Sequence, residues 1–345
     1  MSYEYSVTIG IPVYQAREYV RNSLLSALGQ SYPDIEFLIV DDCGNDGSME
    51  IIEELQRTHA RGEHIRILKN PRNLQVGYTR NRVIDEARGE YLYFLDSDDL
   101  IEPDTIQLLV KAINDHQAEV AYASYEVVDR VNDSPNREFR KPSCQFFRQG
   151  QLALYAFKHA SIFHVSVCNC LYRLDFLRRE KLRFLDTAFW EDMAFTYELV
   201  QRVSRAVLLS DITYHYILRP GSLSHYQDRE QLDKSEIMNN VSTIDYLKGQ
   251  CRLSAGKSYL PYLCYNLEMS SFYIVCHIVK HASRISPAFT WKEMHRILRH
   301  PLGLAELLFF RSKLLHNLVL WTLGRLPVPL FIPSLWIMGK LKRTI

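Results

Sequence analysis

Three carboxylates close an apolar run in the segment Tyr91-Leu92-Tyr93-Phe94-Leu95-Asp96-Ser97-Asp98-Asp99. Aspartates set this tightly repel one another, and burying them unpaired is costly. The residues before them have the aromatic and branched character of a strand buried on both faces. The acids therefore belong at the open carboxyl end of that strand, where α/β sheets bind ligands. Hard oxygen donors at i and i+2, with a third acid beside them, suit a divalent cation such as Mg2+ or Mn2+. The competing reading is a solvated acidic turn, with Pro103 in the first turn of the helix that follows. Acids recur at two more places. Asp41-Asp42 follows a second apolar run, and Glu191-Asp192 heads an amphipathic segment. A sheet that presents carboxylates at several strand ends builds a metal-dependent pocket for an anionic ligand.

The elements needed to hold these acids can be read from the hydrophobic period. Residues 7–13 form a short apolar run, read as a first, central strand. Residues 17–30 carry Tyr19, Val20, Leu24, Leu25 and Leu28 at helical spacing. Residues 35–40 read as the second strand. The turn Gly44 to Ser48 then caps a helix bearing Ile51, Ile52 and Leu55. A third strand at 65–68, a helix at 77–87, the acid-tipped strand, a helix at 103–116 and a strand at 120–125 complete the pattern. Strand and helix alternating at this spacing predict right-handed βαβ units and a doubly wound, mainly parallel sheet. Between 129 and 150 the pattern dissolves into polar residues, read as a loop at the sheet edge. Short strands are expected at 206–209 and 213–218, then a turn at Arg219-Pro220-Gly221-Ser222. Beyond 230 helical spacing dominates.

Composition narrows the function classes. The 345 residues are 47% hydrophobic and 23% charged, with a formal net charge of +1. A chain of this length can bury a large core, and its balance of charge excludes a globally basic nucleic-acid binder. The seven cysteines are scattered, and Cys168-x-Cys170 without a second pair is a poor zinc signal. They read as free thiols in a reducing compartment. The start, Met1-Ser2-Tyr3-Glu4-Tyr5, has neither a basic nor an apolar leader region. A cytoplasmic location is expected, with peripheral contact on the cytoplasmic face of a membrane. There is no glycine-rich phosphate-binding loop of the dinucleotide or P-loop kind. A bound diphosphate would have to be neutralised by a cation, aided by arginines such as Arg80.

The motifs then resemble a known family. Val7-Thr8-Ile9-Gly10-Ile11-Pro12-Val13-Tyr14, Leu38-Ile39-Val40-Asp41-Asp42 with Gly44, Asp46, Gly47 and Ser48, Gly77-x-x-Arg80-Asn81, and Phe94-Leu95-Asp96-Ser97-Asp98-Asp99 stand in the order and rough spacing of family 2 glycosyltransferases. The resemblance is specific over about residues 5–125 and extends loosely through Trp190-Glu191-Asp192 and Tyr214-His215-Tyr216 to Ser224. It implies an inverting, metal-dependent enzyme of the GT-A fold using a nucleotide-sugar donor, with UDP-sugars the first expectation. By the same resemblance Pro12 and Tyr14 line the base pocket, Asp42 bonds the base, and Arg80 and Asn81 face the diphosphate. Asp96 touches the ribose with Ser97 beside it, and Asp98 and Asp99 hold Mn2+ or Mg2+. Asp192 is the general base, paired with Glu191. His215 and His225 are further candidate contacts to metal or phosphate. Gln15 and Cys43-Gly44-Asn45-Asp46 depart from the commonest family pattern on the nucleotide side.

The expected organisation is a GT-A catalytic domain at 1–228, with a nucleotide half at 1–128 and an acceptor half at 129–228, then a helical region at 229–345. The expected acceptor is a glycan or lipid-linked glycan in surface polysaccharide biosynthesis. Two alternatives stay open at this point. One is a sugar nucleotidyltransferase, whose glycine-rich loop would stand where this chain has Pro12-Val13-Tyr14-Gln15-Ala16. The other is a non-catalytic carbohydrate-binding or assembly subunit.

The last forty residues differ in character. After Glu306 there is no acidic residue, while Arg311, Lys313, Arg325, Lys340, Lys342 and Arg343 are basic. The uncharged run 326–339 is too short to cross a bilayer as a helix and contains Pro327, Pro329 and Pro333. Basic residues interleaved with Trp321, Phe331 and Trp336 fit a segment lying in a membrane interface. The alternative is a terminal helical subdomain that packs on the core or contacts another copy.

Overall fold

The computed structural model describes residues 3–131, 134–160, 163, 166–187, 190–219 and 231–342. The chain divides into two compact units, one formed by Met1–Leu152 with Ser161–Pro220, the other by Ala153–Ala160 with Gly221–Ile345.

The first unit opens with β1 (Tyr5–Val13), α1 (Val20–Leu28), β2 (Ile35–Asp41), α2 (Ser48–Thr58), β3 (Ile65–Lys69), α3 (Gln75–Glu86) and β4 (Gly89–Phe94). Its remaining elements are β5 (Leu100–Ile101), α4 (Thr105–His116), β6 (Val120–Asp129), β7 (Ser134–Phe139), β8 (Cys144–Phe146), the start of α5 (Gln151–Lys158), β9 (Cys170–Arg173), α6 (Leu174–Arg179), α7 (Glu191–Arg202) and β10 (Ala206–Leu218). The described strands form one ten-stranded sheet in the order β3-β2-β1-β4-β9-β6-β10-β5, with β7 on β6 and β8 on β10. β3, β2, β1 and β4 run parallel, as the βαβ spacing predicts. Val7, Ile9 and Ile11 of β1 and all of β2 are buried, which is why both read as unbroken apolar runs.

Three details differ from the sequence expectation. β9 lies between β4 and β6 and runs antiparallel to both, so the sheet is mixed beyond β4. The polar stretch 129–150 is not all loop: β7 and β8 add to β6 and β10 as antiparallel strands. β7 is almost wholly exposed and so leaves no hydrophobic alternation to read. The two short strands expected at 206–218 are one, β10. Its parallel pairing with β6 shifts register between Leu208 and Ile212 and again between Ile212 and Tyr214, and that irregularity broke the apparent period.

The second unit adds β11 (Leu232–Asp233), α8 (Lys234–Gln250), α9 (Leu260–Lys280), β12 (Ile285–Ser286), α10 (Trp291–Ile297), α11 (Leu304–Leu307), α12 (Leu314–Leu323) and α13 (Val328–Leu341). Asp233 caps α8 through the Ser235 N–H, and Thr290 and Glu293 form a capping box on α10. α9 is the central helix, burying Leu263, Leu267, Phe272 and Val275. α5 belongs here despite its place in the sequence, because Asn266 Nδ2 donates to the Phe157 carbonyl at 2.9 Å and the Phe157 ring meets Tyr259. Phe331, expected at a membrane interface, is instead fully buried, edge-on to His295 and Trp291. Among the described residues no helix is long and apolar enough to cross a membrane.

Candidate active site

Residues with unusual backbones follow β1 and β2 and stand at the heads of α3 and α7. Gln15 (φ 49°), Cys43 (φ 60°), Gln75 (φ 71°) and Trp190 (φ 62°) all sit in the left-handed region. Each such residue costs about 1–3 kcal/mol, a strain that collects at functional sites. The first two follow β1 and β2, the third opens α3, and Trp190 turns the chain into α7. Pro12 is buried at the end of β1 opposite Val40, and Tyr14 beyond it is exposed. Asp42 is buried, and its Oδ1 accepts from Asn70 Nδ2 at 2.7 Å and from the Leu74 N–H at 2.9 Å.

One arginine ties two chain segments together. Arg80 of α3 donates through NH1 to Glu191 Oε1 at 2.7 Å and through NH2 to Asp96 Oδ1 at 2.8 Å, with its guanidinium over the Phe184 ring. It is buried, with one carboxylate on each terminal nitrogen. Gly77 makes the approach feasible, since a Cβ there would lie 2.5 Å from the Leu185 carbonyl oxygen and 3.5 Å from Glu191. Asn81 Nδ2 donates to the Phe184 carbonyl and its Oδ1 accepts from the Phe184 N–H, so it fastens the chain ahead of α7.

The acid cluster at the end of β4 divides into distinct roles. Asp96 is partly exposed, and its Oδ2 accepts from Cys168 Sγ at 3.2 Å. Ser23 Oγ donates to the Asp96 carbonyl at 3.0 Å, and Ser97 is buried in the turn that follows. Asp98 Oδ2 accepts from Arg219 Nε at 2.5 Å, and Arg219 lies over the Tyr19 ring. Burial, then the neighbouring charge of Asp96, raises the Asp98 carboxyl above its ordinary value, while Arg219 opposes the rise. Asp99 is 1% exposed, with Oδ2 accepting from the Tyr214 hydroxyl at 2.5 Å and Oδ1 from the Ile217 N–H at 2.8 Å. Both Asp99 oxygens thus accept a hydrogen bond from β10. The ring nitrogens of His215 lie 2.8 Å from Glu126 Oε1 and Glu102 Oε1. His225 lies outside the described residues, as does the expected turn from Pro220 to Ser222.

Among the described residues no group of three or more His, Cys, Asp or Glu side chains is gathered as a ready metal cage. Asp96 and Asp98 still suit a hard cation. They are oxygen donors in a cluster where burial, then the charge of Asp96, lifts the Asp98 carboxyl, and a bound cation would favour the ionised form. Glu191 and Asp192 open α7. Glu191 is buried, and burial pushes its carboxyl up to about 7, opposed by Arg80 and assisted by Asp192. Asp192 is half-buried, accepts from the Met193 N–H at 2.7 Å, and is also raised by burial. Sequence reading gave Tyr214, Arg219, Cys168 and Asn70 no part in the site. A basic residue at the end of β10, just before Pro220, was the one available signal.

A mixed sheet with parallel β3-β2-β1-β4, acids at its strand ends and a helix-borne acid pair is the architecture of a GT-A nucleotide-diphospho-sugar transferase. The chain belongs to Glycosyl transferase family 2, whose family model matches residues 8–180. Among curated relatives, the succinoglycan biosynthesis protein ExoO of Rhizobium meliloti is 25% identical over 233 residues, 66% of this chain and 65% of that protein. The match to the first curated relatives spans only about a third to a half of their length, 31% to 48%. In fold the chain is similar to Staphylococcus aureus TarS 1-349, solved with UDP-GlcNAc, at TM-score 0.63 and 18% identity over 92% of this chain and 90% of that one. It is similar as well to the mannosyltransferase PcManGT of Pyrobaculum calidifontis, solved with GDP-Man and Mn2+, at TM-score 0.54 and 16% identity over 93% and 88%.

Proposed function

We propose that the chain is an inverting, cation-dependent glycosyltransferase. It moves a sugar from a nucleoside diphosphate sugar, UDP-sugars first, to a glycan or lipid-linked glycan in surface polysaccharide assembly on the cytoplasmic side of a membrane. The observation that carries this reading is the Asp96–Arg80–Glu191 bridge, which draws the acid-tipped end of β4 and the head of α7 into one site. The polysaccharide setting is supported by the name of ExoO, and the donor class by the ligands of the two solved neighbours.

The residues then have separable tasks. Pro12 and Tyr14 border the place for the base, and Asp42, braced by Asn70, offers it an acceptor. Asp96 and Asp98 would hold Mn2+ or Mg2+, which when bound supplies positive charge to the leaving diphosphate. Asp99 fixes β10 to the acid turn through Tyr214 and Ile217. Glu191 is spent on Arg80, which leaves Asp192 to take the acceptor proton. Its raised carboxyl holds a proton more strongly than an ordinary aspartate and is the better base for it.

The test is release of nucleoside diphosphate from a panel of donors with Mn2+. EDTA should abolish it, and Asp192→Asn should lower turnover by roughly two to four decades with donor affinity nearly unchanged. Full turnover after exhaustive chelation would remove the cation from the mechanism. Donor affinity collapsing together with turnover in Asp192→Asn would make Asp192 a binding residue instead.

A further inference from the structure

The second unit carries an apolar surface that its own fold does not cover. α13 buries Phe331, Leu335 and Gly339, a stripe at i, i+4 and i+8. The opposite face of a surface helix is normally polar. Here it carries Leu330, Pro333, Ile337 and Leu341, again at helical spacing, and Leu341 is 78% exposed. α12 repeats the arrangement, burying Asn317 and Leu320 while exposing Leu315 and Val319. Just after α11, Phe309 is 84% exposed, the largest exposure among the large hydrophobic side chains of the described residues.

The segment that carries this face is basic, with Glu306 before it paired to Arg252. From Leu307 to Ile345 there are six basic residues and no acidic one. Exposed Lys340 and Lys342 stand at the end of α13, beside Ile337 and Leu341. A second copy of this chain is a poor occupant, because a face-to-face pair would set two such basic segments against each other. Crossing a bilayer is excluded by length, since fourteen helical residues span roughly 21 Å against a hydrocarbon core of about 30 Å. An anionic lipid surface answers both halves of the pattern: apolar side chains enter the acyl boundary, and the basic ones meet headgroups.

We propose that the outward faces of α12 and α13, with Phe309, form a docking surface for an anionic bilayer. The inserted residues are Phe309, Leu315, Leu330, Ile337 and Leu341. Trp336 is partly exposed at the edge of the face, whereas Phe331 belongs to the core. This deepens the membrane-facing part of the function proposed above and is independent of the transfer chemistry.

The full chain should co-sediment with vesicles of phosphatidylcholine containing about one-third phosphatidylglycerol, and at least ten-fold less with phosphatidylcholine alone. Binding should fall several-fold between 0.1 and 0.5 M salt, as the Debye length shortens from about 10 Å towards 4 Å. The triple variant Phe309→Ser, Leu330→Ser, Ile337→Ser changes only exposed positions. It should keep its melting temperature and lose at least ten-fold in vesicle binding. The pair Lys340→Glu, Lys342→Glu should lose binding to the anionic vesicles in particular. Unchanged binding in the triple variant overturns the proposal. So does a wild-type chain that ignores vesicles and forms, by light scattering, a dimer that the triple variant abolishes. Donor hydrolysis measured on the same samples separates the two readings: vesicle binding without hydrolysis keeps the docking surface and ends the transferase reading.

Discussion

Arg219 and Asp98 form the pair most directly tied to cation binding. A cation arriving at Asp98 competes with a guanidinium held 2.5 Å from its Oδ2. Both side chains are largely buried, and a partly exposed ion pair is worth about 1 kcal/mol. Arg219→Met should therefore tighten Mn2+ binding several-fold in calorimetry without donor, and equal or weaker binding would show that Arg219 does not compete for the site. The second charged pair of note lies in the second unit, where Lys248 Nζ stands 2.7 Å from Glu268 Oε1 and Glu268 is fully buried. Burial pushes the Glu268 carboxyl up to about 7 from its ordinary 4.5, against the pull of Lys248. The folded chain thus keeps a proton that the unfolded chain gives up, and the associated stability is fully present below pH 4.5 and lost as pH rises through about 7. Glu268→Gln does not titrate. The stability of the wild type minus that of the variant should fall by about 3 kcal/mol from pH 4.5 to 8 in denaturant melts, and a flat difference would contradict it. The acids of the candidate site were legible because they cluster within four positions, Asp96 to Asp99. Their partners were not, because Tyr214 and Arg219 lie more than a hundred residues away and nothing in the sequence says which acid each one meets.

Among the elements, α3 and the head of α7 are coupled through an approach that only a glycine permits. The backbone carbonyl of Leu185 lies where a Gly77 side chain would begin, so the clash cannot be relieved by rotating a side chain. Gly77→Ala should shift α3 from Glu191 and loosen the Arg80 bridge. An overpacking cost of about 1–3 kcal/mol is expected, together with a fall in turnover larger than that in Asn81→Ala, which frees only the Phe184 segment. Thermal melts and diphosphate release measure the two effects, and a Gly77→Ala protein with wild-type turnover would show that this approach is not required. The parallel half of the sheet was legible because strand and helix alternate there with regular burial. β7 was not, since it is exposed on both faces, and β10 was split in two by its own register shifts.

At the scale of the molecule, the division of the chain does not follow the sequence. The expected catalytic domain ended at 228 and kept everything before it. Residues 153–160 instead join the helical unit, where Asn266 bonds the Phe157 carbonyl and Tyr259 covers the Phe157 ring. Nothing in the hydrophobic pattern of α5 distinguishes a helix destined for one core from a helix destined for another, so this exchange was not readable. A chain cut after residue 228 would strip α5 of Asn266 and Tyr259 and leave Phe157, now 3% exposed, facing water. Uncovering such a ring costs about 1.5–3 kcal/mol and creates a sticky patch. The 1–228 fragment should therefore aggregate on size-exclusion chromatography at concentrations where the full chain does not. Phe157→Ser should restore much of the monomer peak, because it removes the exposed ring without touching the sheet. A well-behaved 1–228 monomer with Phe157 intact would mean that α5 finds other cover once the helical unit is gone.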